Sequence, residues 1–234
     1  IDGISITVLA TQYTYEHDSF GDQYDAPASY PASSWDGTSS DISWYNDANS
    51  KFEIQTADEL AGLAELIDSG KSFDGKTIKL TGNIDLKGHT LKLSDYSKET
   101  VFSGTFDGNG KTISGFKSMS STDGLFGYVE GATIKNLTLK GEASGAGLIF
   151  CADGVTVENC TIDINQTISS GGIRGAVVSH AFGTEVFKNI TTRGTVNFTH
   201  NTSSYTNFGS IIGQKYSGAV VTIEGCVNEI DITA

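Results

Sequence analysis

The feature that most constrains this chain is a short pattern that returns five times: an apolar residue, a variable one, a glycine or asparagine, and a second apolar residue. It occurs at Ile113 to Phe116, Ile134 to Leu137, Val157 to Cys160, Phe187 to Ile190 and Ile223 to Cys226. The pivots are Gly115, Asn136, Asn159, Asn189 and Gly225. Glycine and asparagine are the residues that best tolerate the left-handed backbone region. The apolar positions on either side stand three residues apart, so one straight strand cannot turn both to the same face. A single left-handed residue between them bends the chain and points both into one core. The pattern therefore predicts a corner between two strands, with the five pivots stacked. Stacked asparagines about 4.8 Å apart can join their amides in a ladder.

A second landmark precedes the last four corners: Gly124-Leu125-Phe126-Gly127, Gly147 to Phe150, Gly175 to Val178, and Gly209 to Ile212. Two landmarks in fixed order argue for a repeating unit whose coils share a core. We expect an all-β, right-handed parallel β-helix with one N-terminal capping α-helix. The competing antiparallel sandwich needs tight two-residue turns, and only Asp107-Gly108 and Asn109-Gly110 suggest one. Pivot spacing grows from 21 to 36 residues, and the additions near Asn165 to Gly172 and Asn197 to Asn207 are expected to protrude as loops on one side.

One helix is expected, over about residues 57–69. Thr56 and Glu59 have capping-box spacing, Leu60, Leu63, Ala64 and Ile67 fall on one face, and Gly70 is the stop signal. The chain thus divides into an acidic, aromatic segment 1–50, a capping-helix region 51–75 and coils over 76–234. Ile4, Ile6 and Val8 alternate with Ser5 and Thr7 as one strand would, and Ser19 to Asp41 reads as loop. Segment 1–50 is expected to pack on or extend from the coils. The strand motif close to residue 234, with no polar capping element after it, reads as a coil array that continues in a longer protein.

Charge limits the partners. The net charge is -13, and residues 1–50 hold eight Asp or Glu with no Lys or Arg. A surface of that sign repels nucleic acid, which is bound through Lys and Arg, and anionic membranes. No apolar run approaches the roughly 20 residues of a membrane span.

Chemistry-bearing patterns are sparse. His17, His89, His180 and His200 have no H-E-x-x-H context, and no G-x-S-x-G elbow is present. Asp18, Asp22, Asp25, Asp36, Asp41 and Asp47 do not make a complete calcium loop. Cys151, Cys160 and Cys226 form no C-x-x-C pair and read as three free thiols, with Cys160 in the inward column. Glu158 and Glu224 alternate with Lys135 and Lys188 at the outward position before the pivot, a mixed-sign solvated ladder. No catalytic residue, metal or cofactor is expected. Binding is expected at the two insertions, through Phe198, His200 and Tyr205.

The order Trp35-Asp36-Gly37-Thr38, Trp44-Tyr45-Asn46, Phe52 to Ala64, Phe73 to Leu80, Asn83 to Leu86, Gly104 to Ile113 and Gly124 to Gly127 resembles bacterial cell-surface proteins that carry GLUG repeats. The same repeat occurs outside the catalytic region of immunoglobulin A1 protease-type metalloproteases. The resemblance covers about residues 35–234 and implies a right-handed β-helix, secretion and attachment to large surface proteins, without catalytic residues. The landmark decays to Gly-Ala-Val-Val and Gly-Ser-Ile-Ile in the later coils. The function expected is an extracellular structural or adhesive module whose partners are glycans, host surface or matrix proteins, and neighbouring domains. The alternatives are a polysaccharide lyase or hydrolase, and an accessory domain of a secreted metalloprotease.

Overall fold

The computed structural model describes residues 35–199 and 205–233. The strand expected at Ile4 to Val8, and the acids and tyrosines up to Tyr30, lie outside the described residues.

The described chain is all-β with parallel sheets and one α-helix. The first sheet runs, in order, β1 (Lys51–Ile54), β2 (Thr77–Leu80), β4 (Thr105–Asp107), β7 (Thr133–Lys135), β10 (Thr156–Glu158), β14 (Thr184–Lys188) and β18 (Val220–Glu224). The second holds β3 (Ile84–Asp85), β5 (Thr112–Ser118), β8 (Thr138–Ala143), β11 (Thr161–Ile168), β15 (Thr191–Phe198) and β19 (Val227–Thr233). The third holds β6 (Phe126–Glu130), β9 (Ile149–Asp153), β13 (Val178–Ala181) and β17 (Ile212–Lys215). A two-stranded sheet pairs β12 (Gly172–Gly175) with β16 (Thr206–Gly209). From β4 onward the chain visits the first, second and third sheets in turn, and no sheet closes on itself.

The corner between the first two sheets is built as the repeat implies. Asn136, Asn159 and Asn189 have φ of 54°, 54° and 52°, and Gly225 has 63°. Ile134, Val157 and Phe187 before the corner, and Leu137, Cys160 and Ile190 after it, are all buried. The amides form a directional ladder. Asn189 Nδ2 donates to Asn159 Oδ1 (3.0 Å), Asn159 Nδ2 to Asn136 Oδ1 (3.4 Å), and Asn136 Nδ2 to the Asp107 carboxylate (2.9 Å). Gly225 takes the next position, where a Cβ would stand 2.5 Å from Asn189 Oδ1 unless that amide turned aside.

Gly115 corrects the expected stack. Its φ is 64°, yet it lies in the second sheet, at the irregularity between Ile113 and Phe116 where β5 pairs with β8. The strand before its corner is Thr105 to Asp107, in register with Thr133 to Lys135, so Gly108 holds the column position below Asn136. The repeats that begin at Thr105, Thr133 and Thr156 carry two Thr-apolar pairs each, one on each side of the corner, such as Thr133-Ile134 and Thr138-Leu139. Thr112-Ile113 matches either by sequence, and the structure pairs it with the second. In the third sheet Phe126, Ile149, Val178 and Ile212 stand in register, so the last two Gly landmarks enter one residue late.

The extra residues of the long coils are also not simply loops. Gln166 to Ile168 continue β11 and pair with Val196 to Phe198, while Gly172 to Gly175 pair with Thr206 to Gly209. Neighbouring strands satisfy these backbone groups, which a protruding loop would leave to water. The described parts of the two additions do stack on one another.

Helix α1 (Ala57–Asp68) has the expected capping box: Glu59 N donates to Thr56 Oγ1 (3.2 Å) and Thr56 N to the Glu59 carboxylate (3.0 Å). Leu60, Leu63, Leu66 and Ile67 join the apolar cluster that contains Phe52 and Ile54 of β1, the edge strand of the first sheet. The 35–50 segment closes on the same cluster, with Trp35 buried and Trp44 and Tyr45 against Phe52. Phe73, Phe102 and Phe126 follow at centroid separations of 6.3 and 5.4 Å. Each buried phenylalanine contributes roughly 1.5–3 kcal/mol over an exposed one.

On the outer face of the first sheet one column reads Glu53, Lys79, Asp107, Lys135, Glu158, Lys188, Glu224, alternating in sign across all seven strands. Lys188 and Glu224 pair at 3.4 Å, and Lys79 and Glu53 at 3.8 Å. Opposite charges directly across a strand pair favour this register over a slipped one.

Candidate functional site

The third sheet shows one side to the core, with Phe126, Ile149, Ala152, Val178 and Ala181 buried in it. On its other side the same strands carry aromatic residues: Tyr128 and His180 each precede a core residue, Val129 and Ala181, and Phe150 follows one, Ile149, as the alternation of strand side chains between faces requires. Tyr128 of β6, Phe150 of β9 and His180 of β13 are followed by Phe182 and, beyond β17, Tyr216. A smaller apolar cluster of Ala146, Phe150, Cys151 and Tyr128 lies beneath them, separate from the main core.

Tyr96 completes the row from outside the sheet. It stands in a one-turn 3₁₀ helix (Tyr96–Lys98) held by polar contacts on several sides. The Asp95 carboxylate accepts from Ser97 N (2.9 Å) and Ser97 Oγ (2.7 Å). Lys92 Nζ reaches both Asp95 (2.8 Å) and Asp123 (2.9 Å). Ser94 acts as a missing strand partner: its Oγ accepts from Tyr128 N (3.0 Å) and donates to Tyr128 O (2.7 Å). Partial burial alone would raise the Asp95 pKa, but hydrogen bonds from Lys92 and Ser97 bring it down to about 2.

The rings touch in sequence across the coils. Tyr96 meets Tyr128 at 5.8 Å and Phe150 at 6.0 Å between centroids. Phe150 meets His180 at 4.8 Å, edge to face, and Phe182 stacks on Tyr216 at 4.4 Å. His180 Nδ1 lies 3.1 Å from Tyr216 Oη. Burial, then the nearby Arg174 charge, lowers the His180 pKa, so the ring is neutral at pH 7. Burial, then the acids Glu130 and Asp153, raises that of Tyr128. The outcome is an uncharged strip of π faces and phenol hydroxyls, with Tyr96 at 51% and Phe182 at 37% exposure. Such a surface packs against the apolar faces of flat or ring-shaped ligands while its hydroxyls hydrogen-bond their edges.

Phe198 and Tyr205, two of the residues expected to bind, are placed elsewhere. Phe198 ends β15, half-buried and in register with Ile168. Tyr205 is 65% exposed; its hydroxyl accepts from Asn207 Nδ2 at 2.6 Å and its carbonyl from Gly172 N at 2.8 Å. Among the described residues neither ring contacts another aromatic, and His200 lies outside the described residues. Phe198 and Tyr205 are therefore not gathered with other aromatic rings among the described residues as the members of the strip are. Sequence reasoning missed the strip because Tyr96 precedes the landmarks and the other members fall one to four residues beyond the third-sheet landmark at uneven offsets, as in Ile149 to Phe150 and Ile212 to Tyr216. The readable signal was an aromatic residue after every landmark.

No family model, curated protein or solved structure matches this chain. Among the described residues no helix is long and apolar enough to cross a membrane, and no group of three or more His, Cys, Asp or Glu is placed to hold a metal ion.

Proposed function

We propose that this chain is a non-catalytic module of a secreted bacterial surface protein, a right-handed parallel β-helix that holds glycans against the aromatic strip of its third sheet. The observation that carries the reading is the strip itself, six rings in mutual contact over successive coils, two of them widely exposed. The cyclic visiting of three parallel sheets supports the helical architecture. Right-handedness follows from the strong preference of parallel crossovers for that hand. Stacking suits both nucleobases and sugar rings, and the net charge of -13 favours the second, since phosphate chains are repelled.

The test is a glycan array probed with the chain and with a Tyr96→Ala/Phe182→Ala double variant. Each lost ring contact is worth about 0.5–1.5 kcal/mol, so the variant should lose roughly tenfold in affinity for the glycans that the strip holds, while it still melts cooperatively, at a temperature lowered only by the ring contacts that Tyr96 and Phe182 make within the strip. Equal signals from both proteins, or no glycan retained by the unaltered chain, would overturn the assignment.

A further inference from the structure

The outer face of the second sheet is unlike the aromatic strip: it is concave and polar. Its concavity has a local cause. β5 is irregular between Ile113 and Phe116, and the next strand passes that point at Gly141, where a Cβ would collide with the Phe116 carbonyl. Gly194, two strands further on, has φ 101° and would collide with Ile164 O in the same way. Glycines at these positions let the backbones approach closely and the sheet bend. The hollow measures about 420 Å³ and is bordered by Lys117, Lys140, Glu142, Asp163 and Asn165 over a floor of Phe116 and Gly141. It shares Lys117 with two further hollows, of about 190 and 350 Å³, which lead past Met119 towards Asp123.

We propose that this groove is a second binding site, for neutral oligosaccharides. Lys117 and Glu142 stand opposite one another in register, yet among the described residues neither side chain has an ion-pair or hydrogen-bond partner. The neighbouring column behaves differently, with Lys140 and Asp163 at 3.8 Å. Asn165 uses its Oδ1 to accept from Thr195 N and Oγ1, both at 3.0 Å, which leaves its amide N–H groups for a ligand. The groove thus presents free donors and a free acceptor side by side, and its two lysines balance its two acids. Sugar hydroxyls both donate and accept, and so match that set. A polyuronate would place many carboxylates beside Glu142 and Asp163 on a chain of net charge -13, which like-charge repulsion opposes. The run of three linked hollows suits an oligomer in preference to a single sugar.

Calorimetric titration with xylohexaose, mannohexaose and hexagalacturonate tests this on three proteins: the unaltered chain, Lys117→Ala/Glu142→Ala, and the strip variant Tyr96→Ala/Phe182→Ala. All four substituted side chains are at least partly exposed, and melting curves verify folding. The expected result is binding of at least one neutral hexaose, weakened tenfold or more in the groove variant and less than twofold in the strip variant, with no binding of hexagalacturonate. The proposal falls if neither neutral hexaose binds, if the groove variant binds as the unaltered chain does, or if hexagalacturonate binds equally well. Loss of hexaose binding in the strip variant alone would also overturn the second site, while leaving the aromatic strip as the glycan surface. Equal array signals from the unaltered chain and the strip variant would overturn the strip and leave the groove standing.

Discussion

The same repeat position has very different surroundings at the two ends of the described chain. Ile134, Val157 and Phe187 are fully buried, whereas Ile223, their equivalent in the last first-sheet strand, is 53% exposed. Val220, Val227 and Ile232 are exposed alongside it. At the other end, β1 is also an edge strand, yet Phe52 and Ile54 are buried, in one apolar cluster with Leu60, Leu63 and Ile67 of helix α1 and with Trp44 and Tyr45 against Phe52. In a stacked parallel array a side chain is covered largely by the coils above and below it. An apolar residue in the repeat therefore gains its stabilising value from its neighbours, and identical residues at different heights are not energetically equivalent.

The largest test of this contrast is a pair of truncations. Phe187→Ala should cost about 3–5 kcal/mol as a buried cavity, while Ile223→Ala should cost less than about 1 kcal/mol, read from urea midpoints. Similar losses at both sites would remove the distinction between the ends.

A pH ramp asks whether the well-buried half has a weak point of its own. Asp95 has a folded pKa of about 2 against an ordinary 3.8. Its stabilising contribution is complete above pH 3.8 and is lost as pH falls from there through about 2. The amount is on the order of 2 kcal/mol, at 1.36 kcal/mol per pKa unit. Asp95→Asn should flatten stability over that window and loosen amide protection at Ser97. An unchanged acid profile in the variant would assign the acid sensitivity elsewhere.

The helix cap supplies a smaller effect. Thr56→Ala removes the hydroxyl that Glu59 N donates to and should cost about 1 kcal/mol. The loss should reach the whole melt, as expected if α1 seals the first coil; a shift in helical signal alone would uncouple the helix from the array.

The thiols report the contrast without a change in stability. Burial pushes the Cys151 and Cys160 thiols up to about 12, whereas Cys226 is only partly buried and no disulfide joins the three. A thiol reagent at pH 8 should modify Cys226 first in the native protein, and all three after unfolding in the absence of reductant. One equivalent after unfolding would mean a disulfide that the structure does not contain.

Much of this architecture was legible because its cause is local. A left-handed residue between two inward columns must appear in sequence as Asn or Gly between apolar residues, and Asn136, Asn159, Asn189 and Gly225 do so. The helix was legible for the same reason, through Thr56, Glu59 and its apolar face. Register is a property of two coils together, so Thr112-Ile113 was placed on the wrong side of its corner and Gly115 with it. The long coils misled because Gln166 to Ile168 are polar enough to read as loop, yet have strand partners on neighbouring coils. The aromatic strip was hidden for a related reason: Tyr96 and Phe150 are 54 residues apart in sequence and meet only when the coils stack.

The alternating column Glu53, Lys79, Asp107, Lys135, Glu158, Lys188, Glu224 gives the molecule a parity. Removing the single coil that bears Glu158 would set Lys135 against Lys188, and duplicating one coil would likewise seat a charge beside its own kind, which is destabilising. Removing the Glu158 and Lys188 coils together would instead bring Lys135 beside Glu224 and keep the alternation. Along this face the array can be lengthened or shortened smoothly only in steps of two, a counting rule for anyone who cuts the chain or grafts coils into it.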